Sequence, residues 1–125
     1  MLEGGRASYA FESVKQQLSK LKEAEQKEFR SHIKKMPAMI QVNGLGQTLA
    51  FYYASKKQMG LVYSILDIWV KERLTYIKPE RLPDQELVEW VISLPSPQYK
   101  VVTMEIMALL NWLRRFADGM IKSDR

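Results

Sequence analysis

The sequence predicts an all-α fold: a single-domain helical bundle of about five to six helices with a long C-terminal helix. Three observations carry that prediction. Apolar residues recur at three- and four-residue steps through most of the chain, no stretch alternates at period two over more than a few residues, and the apolar runs are separated by proline, glycine and helix-capping residues. The 125 residues fit one domain. A chain of this length buries roughly two-thirds of its unfolded surface, so it needs neither metal nor disulfide to fold. No segment repeats and none is low in complexity.

Taken in order, Phe11, Val14, Leu18 and Leu21 predict a first helix over about Ser8 to Ala24. A short second helix, about Glu25 to Lys35, places Phe29, Ile33 and Met36 on one face. Pro37 disfavours helix at Met36 and suits the first position of a third helix, which runs to about Ala54. Ser55 to Gly60 reads as a loop. A fourth helix buries Leu61, Ile65, Leu66, Trp69 and Val70 and fades before Lys78-Pro79. Asp84 is placed as the N-cap of a short helix that buries Leu87, Val88, Val91 and Ile92 and ends at Leu94-Pro95. Ser96 then reads as the N-cap of the last helix, about Pro97 to Ile121. Val102, Ile106, Leu109, Leu110, Leu113, Phe116, Ala117 and Met120 form its apolar stripe.

Few residues in the chain can do catalytic chemistry. There is one histidine and no cysteine, so a zinc site lacks ligands. His32 stands beside Lys34 and Lys35, cations that favour its neutral form. Glu86 and Glu89, like Glu23, Glu25 and Glu28, fall on solvated helix faces and make no acid–base pair. Gly44-Leu45-Gly46 starts like a dinucleotide fingerprint, but position 49 is Leu and no strand precedes it. These features predict no enzyme, no metal, no cofactor and no small-molecule substrate. The longest uncharged run, Met36 to Ser55, contains Pro, Gly, Asn, Gln and Thr and is no membrane span. The absence of cysteine and of an apolar leader suits a cytoplasmic protein.

Charge is concentrated. No Asp or Glu occurs from Phe29 to Leu66, while Arg30, Lys34, Lys35, Lys56 and Lys57 fall in that window, matching the +5 formal charge of the whole chain. A basic region of this kind suits a polyanion. Arg114 and Arg115 on the last helix add planar guanidinium groups suited to phosphate. Their ordinary role is ion pairing along the helix, Arg114 to Asp118 at i+4 or Arg115 to Asp118 at i+3. Within the uncharged run, Gly46, Ala50 and Ala54 lie at i, i+4 and i+8 of the expected third helix and form a groove of small residues. Asn43 and Gln47 are one turn apart and, among so many apolar neighbours, are expected to be at least half buried. They then bond either to the domain's own backbone or to a partner.

Met36-Pro37-Ala38, Ile40 and the run Asn43-Gly44-Leu45-Gly46-Gln47-Thr48-Leu49-Ala50-Phe51 closely resemble the signature of a known family. That family is the small helical subunit of the Cmr-type (type III-B) CRISPR RNA-guided effector complex. The run Glu105 to Ala117 is similar to the family's ending. The resemblance implies a non-catalytic subunit that stacks side by side with further copies of itself along an RNA-binding filament, while other subunits of the Cmr complex cleave. Its partners would be those subunits and the guide and target RNA.

The candidate phosphate contacts are therefore Arg30, Lys34, Lys35, Lys56, Lys57, Arg114 and Arg115, and the candidate structural or partner contacts are Asn43, Gly44, Gly46 and Gln47. The competing expectation is a helical protein–protein adaptor whose basic surface meets an acidic subunit and touches no RNA.

Overall fold

Each helix buries one apolar stripe, and the stripes meet in one continuous core. The computed structural model describes residues 4–122. Among them it holds α1 (Arg6–Leu18), α2 (Glu23–Asn43), α3 (Leu45–Ala54), α4 (Gln58–Arg73), α5 (Leu87–Ser93) and α6 (Ser96–Met120), and no strand. The all-α expectation and the long last helix are both met.

The contacts fix how the helices run. Arg6 meets Glu105 and, further along both helices, Phe11 meets Phe116, so α1 and α6 are parallel. Lys34 meets Asp118 while Gly46 meets Tyr99, so α2 is antiparallel to α6. Tyr9 reaches Ile65 and Gly4 reaches Arg73, so α4 is antiparallel to α1. Helices α1, α6, α2 and α4 pack in that order, each on the next, Tyr9 of α1 reaches back to α4, α3 is laid over α2 and α4, and α5 bridges α3 to α6.

Several boundaries differ from expectation. The first helix stops at Leu18, not near Ala24. The Gln26 side-chain amide donates to the Leu18 and Leu21 carbonyls and holds the turn there. The second helix then starts at Glu23, where the Glu25 carboxylate accepts the Lys22 backbone N–H at 2.8 Å. It does not break at Pro37. The stripe Phe29, Ile33, Met36, Ile40 is continuous and buried, and its burial outweighs the roughly 3 kcal/mol that an interior proline costs. Pro37 has no N–H for the Ile33 carbonyl. The Tyr52 hydroxyl donates to the preceding carbonyl, His32, at 2.5 Å and braces the helix where it is weakest.

The break comes instead at Gly44, with φ 85° and ψ 162°, a conformation open almost only to glycine. Gly44 is therefore the junction between α2 and α3 and not part of a helix interior. The short helix is capped by Glu86 in place of Asp84: Glu89 accepts the Glu86 N–H, and the Tyr63 hydroxyl accepts the Val88 N–H at 3.1 Å. Trp90 fills the core there, and Ile92, expected to be buried, is 66% exposed. The fourth helix begins earlier than expected, at Gln58, and Ser96 lies inside the first turn of α6 with Pro95 at the cap.

Candidate nucleic-acid interface

The antiparallel packing of α2 on α6 brings four of the seven candidate cations together. Arg30 and Lys34 lie one turn apart on α2, and Arg114 and Arg115 lie on α6 within one turn of Asp118. Asp118 does not pair along its own helix as expected. Its Oδ1 lies 3.2 Å from Lys34 Nζ and 3.8 Å from Arg30 Nε. Arg30 also donates to the Ile121 carbonyl at 3.4 Å. Among the described residues, Arg114 reaches only Asn111, at 3.5 Å. Asp118 thus meets two cations, and with Arg114 and Arg115 within one turn of it on α6 the described part of this edge is net positive. Pairs this exposed contribute no more than about 1 kcal/mol, so a phosphate can displace Asp118 from Lys34 at little cost. Lys122, exposed just past α6, extends the same edge.

The other three candidates lie elsewhere. Lys35 is on the opposite side of α2 from Arg30, toward α3. Lys56 and Lys57 sit in the α3–α4 loop, in a hollow they share with Tyr53, Tyr63, Asp67 and Glu86. Among the described residues, Lys35, Lys56, Lys57 and Arg115 make no ion pair. His32 is held below its ordinary value, mainly by burial and then by Lys35, so it stays uncharged near neutrality. Tyr52 is buried, and its hydroxyl is pushed up to about 12 by burial; it is unavailable for stacking on a base. Among the described residues, no three His, Asp or Glu side chains are grouped so as to hold a metal ion, and no helix is long and apolar enough to cross a membrane.

A family model described as CRISPR-associated protein (Cas_Cmr5) matches residues 2–120. The chain belongs to the Cmr5 family of CRISPR-associated proteins. A crystal structure of a CRISPR-associated Cmr5 family protein from Thermus thermophilus is similar over 98% of this chain and 99% of that one, with a TM-score of 0.74 and 25% sequence identity. The chain is thus a small subunit of Cmr type.

In this Cmr5 family chain the segment Met36 to Phe51 spans the α2–α3 junction. Asn43 and Gln47 are exposed, contrary to expectation, because the turn at Gly44 directs them outward; neither side chain bonds to a described residue. Gly46 is buried, and a Cβ there would stand 3.0 Å from Ile92 Cγ2 and 3.5 Å from the Tyr99 hydroxyl. That hydroxyl accepts the Gly46 N–H at 2.8 Å. Close packing at Gly46 is therefore internal, against Ile92 and Tyr99, while Ala50 and Ala54 further along α3 are exposed.

The periodicity gave no sign of the Glu105 network. The Glu105 carboxylate takes two 2.8 Å bonds from Arg6 and one of 2.9 Å from Trp69 Nε1, tying α1, α6 and α4 together. Its only sequence signal is an acidic residue flanking the apolar stripe of α6.

Proposed function

We propose that this chain is a non-catalytic small subunit of the type III-B Cmr ribonucleoprotein, that it contacts phosphates of the guide or target RNA through its α2–α6 edge, and that copies of it stack side by side in antiviral defence. The observation that supports the RNA contact is the charge imbalance of that edge among the described residues, where Arg30 and Lys34 share Asp118 and Arg114 and Arg115 lie within one turn of it on α6. Helix-borne cations at a solvated edge neutralise phosphates without reading bases. A lone copy therefore binds single-stranded RNA weakly and without sequence preference. Each phosphate neutralised adds about −0.7 to the slope of log affinity against log salt, so four contacts give roughly −3.

The test is a salt titration of RNA binding, first with the free chain and then with the assembled complex. Replacing Lys34 and Arg115 by Ala should flatten the slope by about one to two units for unrelated RNA sequences alike. An unchanged slope in the complex, persisting after Arg30 and Arg114 are also neutralised, would leave the adaptor reading in possession. One observation favours that adaptor reading: Val42 is 81% exposed beside the unbonded amides of Asn43 and Gln47, a surface suited to protein. Pull-down of a protein partner with no RNA shift at low salt would identify it.

A further inference from the structure

The α2–α3 junction joins an asparagine directly to a glycine, and neither the core nor the charged edge uses that asparagine. Asn43 ends α2 and is exposed, and its side-chain amide bonds to no described residue. Asparagine is a thermolabile residue. Its reactive partner is the backbone nitrogen of the next residue, which the side-chain carbonyl carbon can reach by closing a five-membered ring. Gly44 has no Cβ to shield that nitrogen. The chain supplies two comparisons. Asn111 is followed by Trp112 inside α6, and its side-chain carbonyl accepts from Arg114 at 3.5 Å. Asp118 is also followed by glycine, but its carboxylate is paired with Lys34 and Arg30, and an ionised carboxylate is a poor electrophile.

The folded backbone restrains this reaction. The Gly44 N–H donates to the Ile40 carbonyl at 2.8 Å, which closes the last turn of α2 and keeps Asn43 helical. That turn is weakly anchored. Ile40 and Leu45 are buried, but Gln41, Val42 and Asn43 between them are all exposed. Opening the turn gives up few backbone bonds and uncovers little apolar surface, so it opens far more often than the whole molecule unfolds.

We propose that Asn43–Gly44 is a site of spontaneous deamidation, gated by opening of the last turn of α2. In the open turn the Gly44 nitrogen loses its proton to hydroxide and attacks Asn43 Cγ. The new C–N bond closes a cyclic imide, and the bond from Cγ to the side-chain nitrogen breaks, releasing ammonia. Water then opens the imide at one of its two carbonyls. Attack at Cγ leaves aspartate; attack at the main-chain carbonyl leaves isoaspartate, whose backbone runs through Cβ and Cγ. Either product puts a carboxylate into the stretch from Phe29 to Leu66, which otherwise has none, and lowers the net charge of +5 by one. That carboxylate also faces the negative end of the α2 dipole. Isoaspartate in addition lengthens the main chain by a methylene immediately before Gly44, whose φ of 85° and ψ of 162° set α3 on α2. The junction thus changes charge and length without an enzyme, and it does so whether or not RNA or a partner is bound elsewhere.

Incubation of the full chain at neutral and mildly alkaline pH, followed by tryptic peptide mapping, tests this. Cleavage after Lys35 and Lys56 isolates Asn43 as the one asparagine of its peptide. That peptide should gain the mass of an NH exchanged for an O and appear in two chromatographic forms. The rate should rise about tenfold for each unit of pH, because the attacking nitrogen must lose its proton. The peptides carrying Asn111 and Asp118 should stay unchanged over the same period, as should the peptide from Asn43→Gln, whose ring would need six members. Hydrogen exchange reads the gate. The Gly44 N–H must leave Ile40 both to exchange and to attack, so its protection should match, within about threefold, the factor by which denaturant speeds deamidation. The isoaspartyl form, separated by ion exchange, should unfold at lower denaturant than the Asn43→Asp variant, which carries the charge without the added methylene. An Asn43 peptide that keeps its mass, equal rates in the native and denatured chain, Asn111 reacting as fast as Asn43, or an isoaspartyl form as stable as Asn43→Asp would each overturn the proposal.

Discussion

Gly44 shows how much one residue decides. At φ 85° and ψ 162° it ends α2, starts α3 and faces Asn43 and Gln47 outward. Alanine there should cost about 1–3 kcal/mol in denaturant unfolding, because its Cβ resists this backbone region. Equal stability would mean that the junction relaxes elsewhere. Asp118 is the counterpart on the charged edge. Asp118→Asn removes the one carboxylate that, among the described residues, pairs with Arg30 and Lys34, and RNA affinity at low salt should rise by roughly two- to fivefold. A fall would show that Asp118 serves chiefly to hold α2 on α6. The residue types at both positions were legible in the sequence, but their partners were not. Spacing along one helix reveals i+3 and i+4 neighbours, whereas Asp118 pairs across to another helix.

At the scale of elements, what was legible was the apolar stripe and what was not was the break. Pro37 reads as a helix boundary by its own chemistry, and burial of Met36 and Ile40 overrides it. Pro37 offers no N–H to the Ile33 carbonyl, so Pro37→Ala should stabilise the protein by about 1–3 kcal/mol in chemical denaturation. Destabilisation would mean that the ring of Pro37 packs in a way alanine cannot replace. Glu105 gives a second test. Hydrogen bonds from Arg6, and then from Trp69, hold its carboxyl below the ordinary value of 4.5 against the opposing effect of burial. With the folded value below the unfolded one, its stabilisation is complete above about pH 4.5 and is lost as pH falls through the folded value. Glu105→Gln should therefore lower stability at neutral pH by about 2–3 kcal/mol and make the acid limb of the stability curve shallower. An unchanged acid limb would assign that limb to other carboxylates.

For the whole molecule, the legible property was charge, and its distribution emerged only on folding. The acid-free window looks like one basic region along the chain, yet its cations divide among the α2–α6 edge, the α3 side of α2 and the α3–α4 loop. Arg114 and Arg115, distant in sequence, join only the first group. If copies line up, RNA bound by one edge meets the next at high effective concentration, and binding by the assembled complex should exceed that of the free chain by well over tenfold. Equal affinity would argue against a shared strand. The Arg6–Glu105 pair has a further consequence, in the order of synthesis. Its partners are 99 residues apart, and α1 packs chiefly on α6. Helices α2, α3 and α4 can assemble as they leave the ribosome, but α1 must wait about 5–20 seconds for its partner to be made. During that interval Ala10 and Val14, fully buried in the finished protein, are open to chaperones. The first helix synthesised is thus among the last to dock.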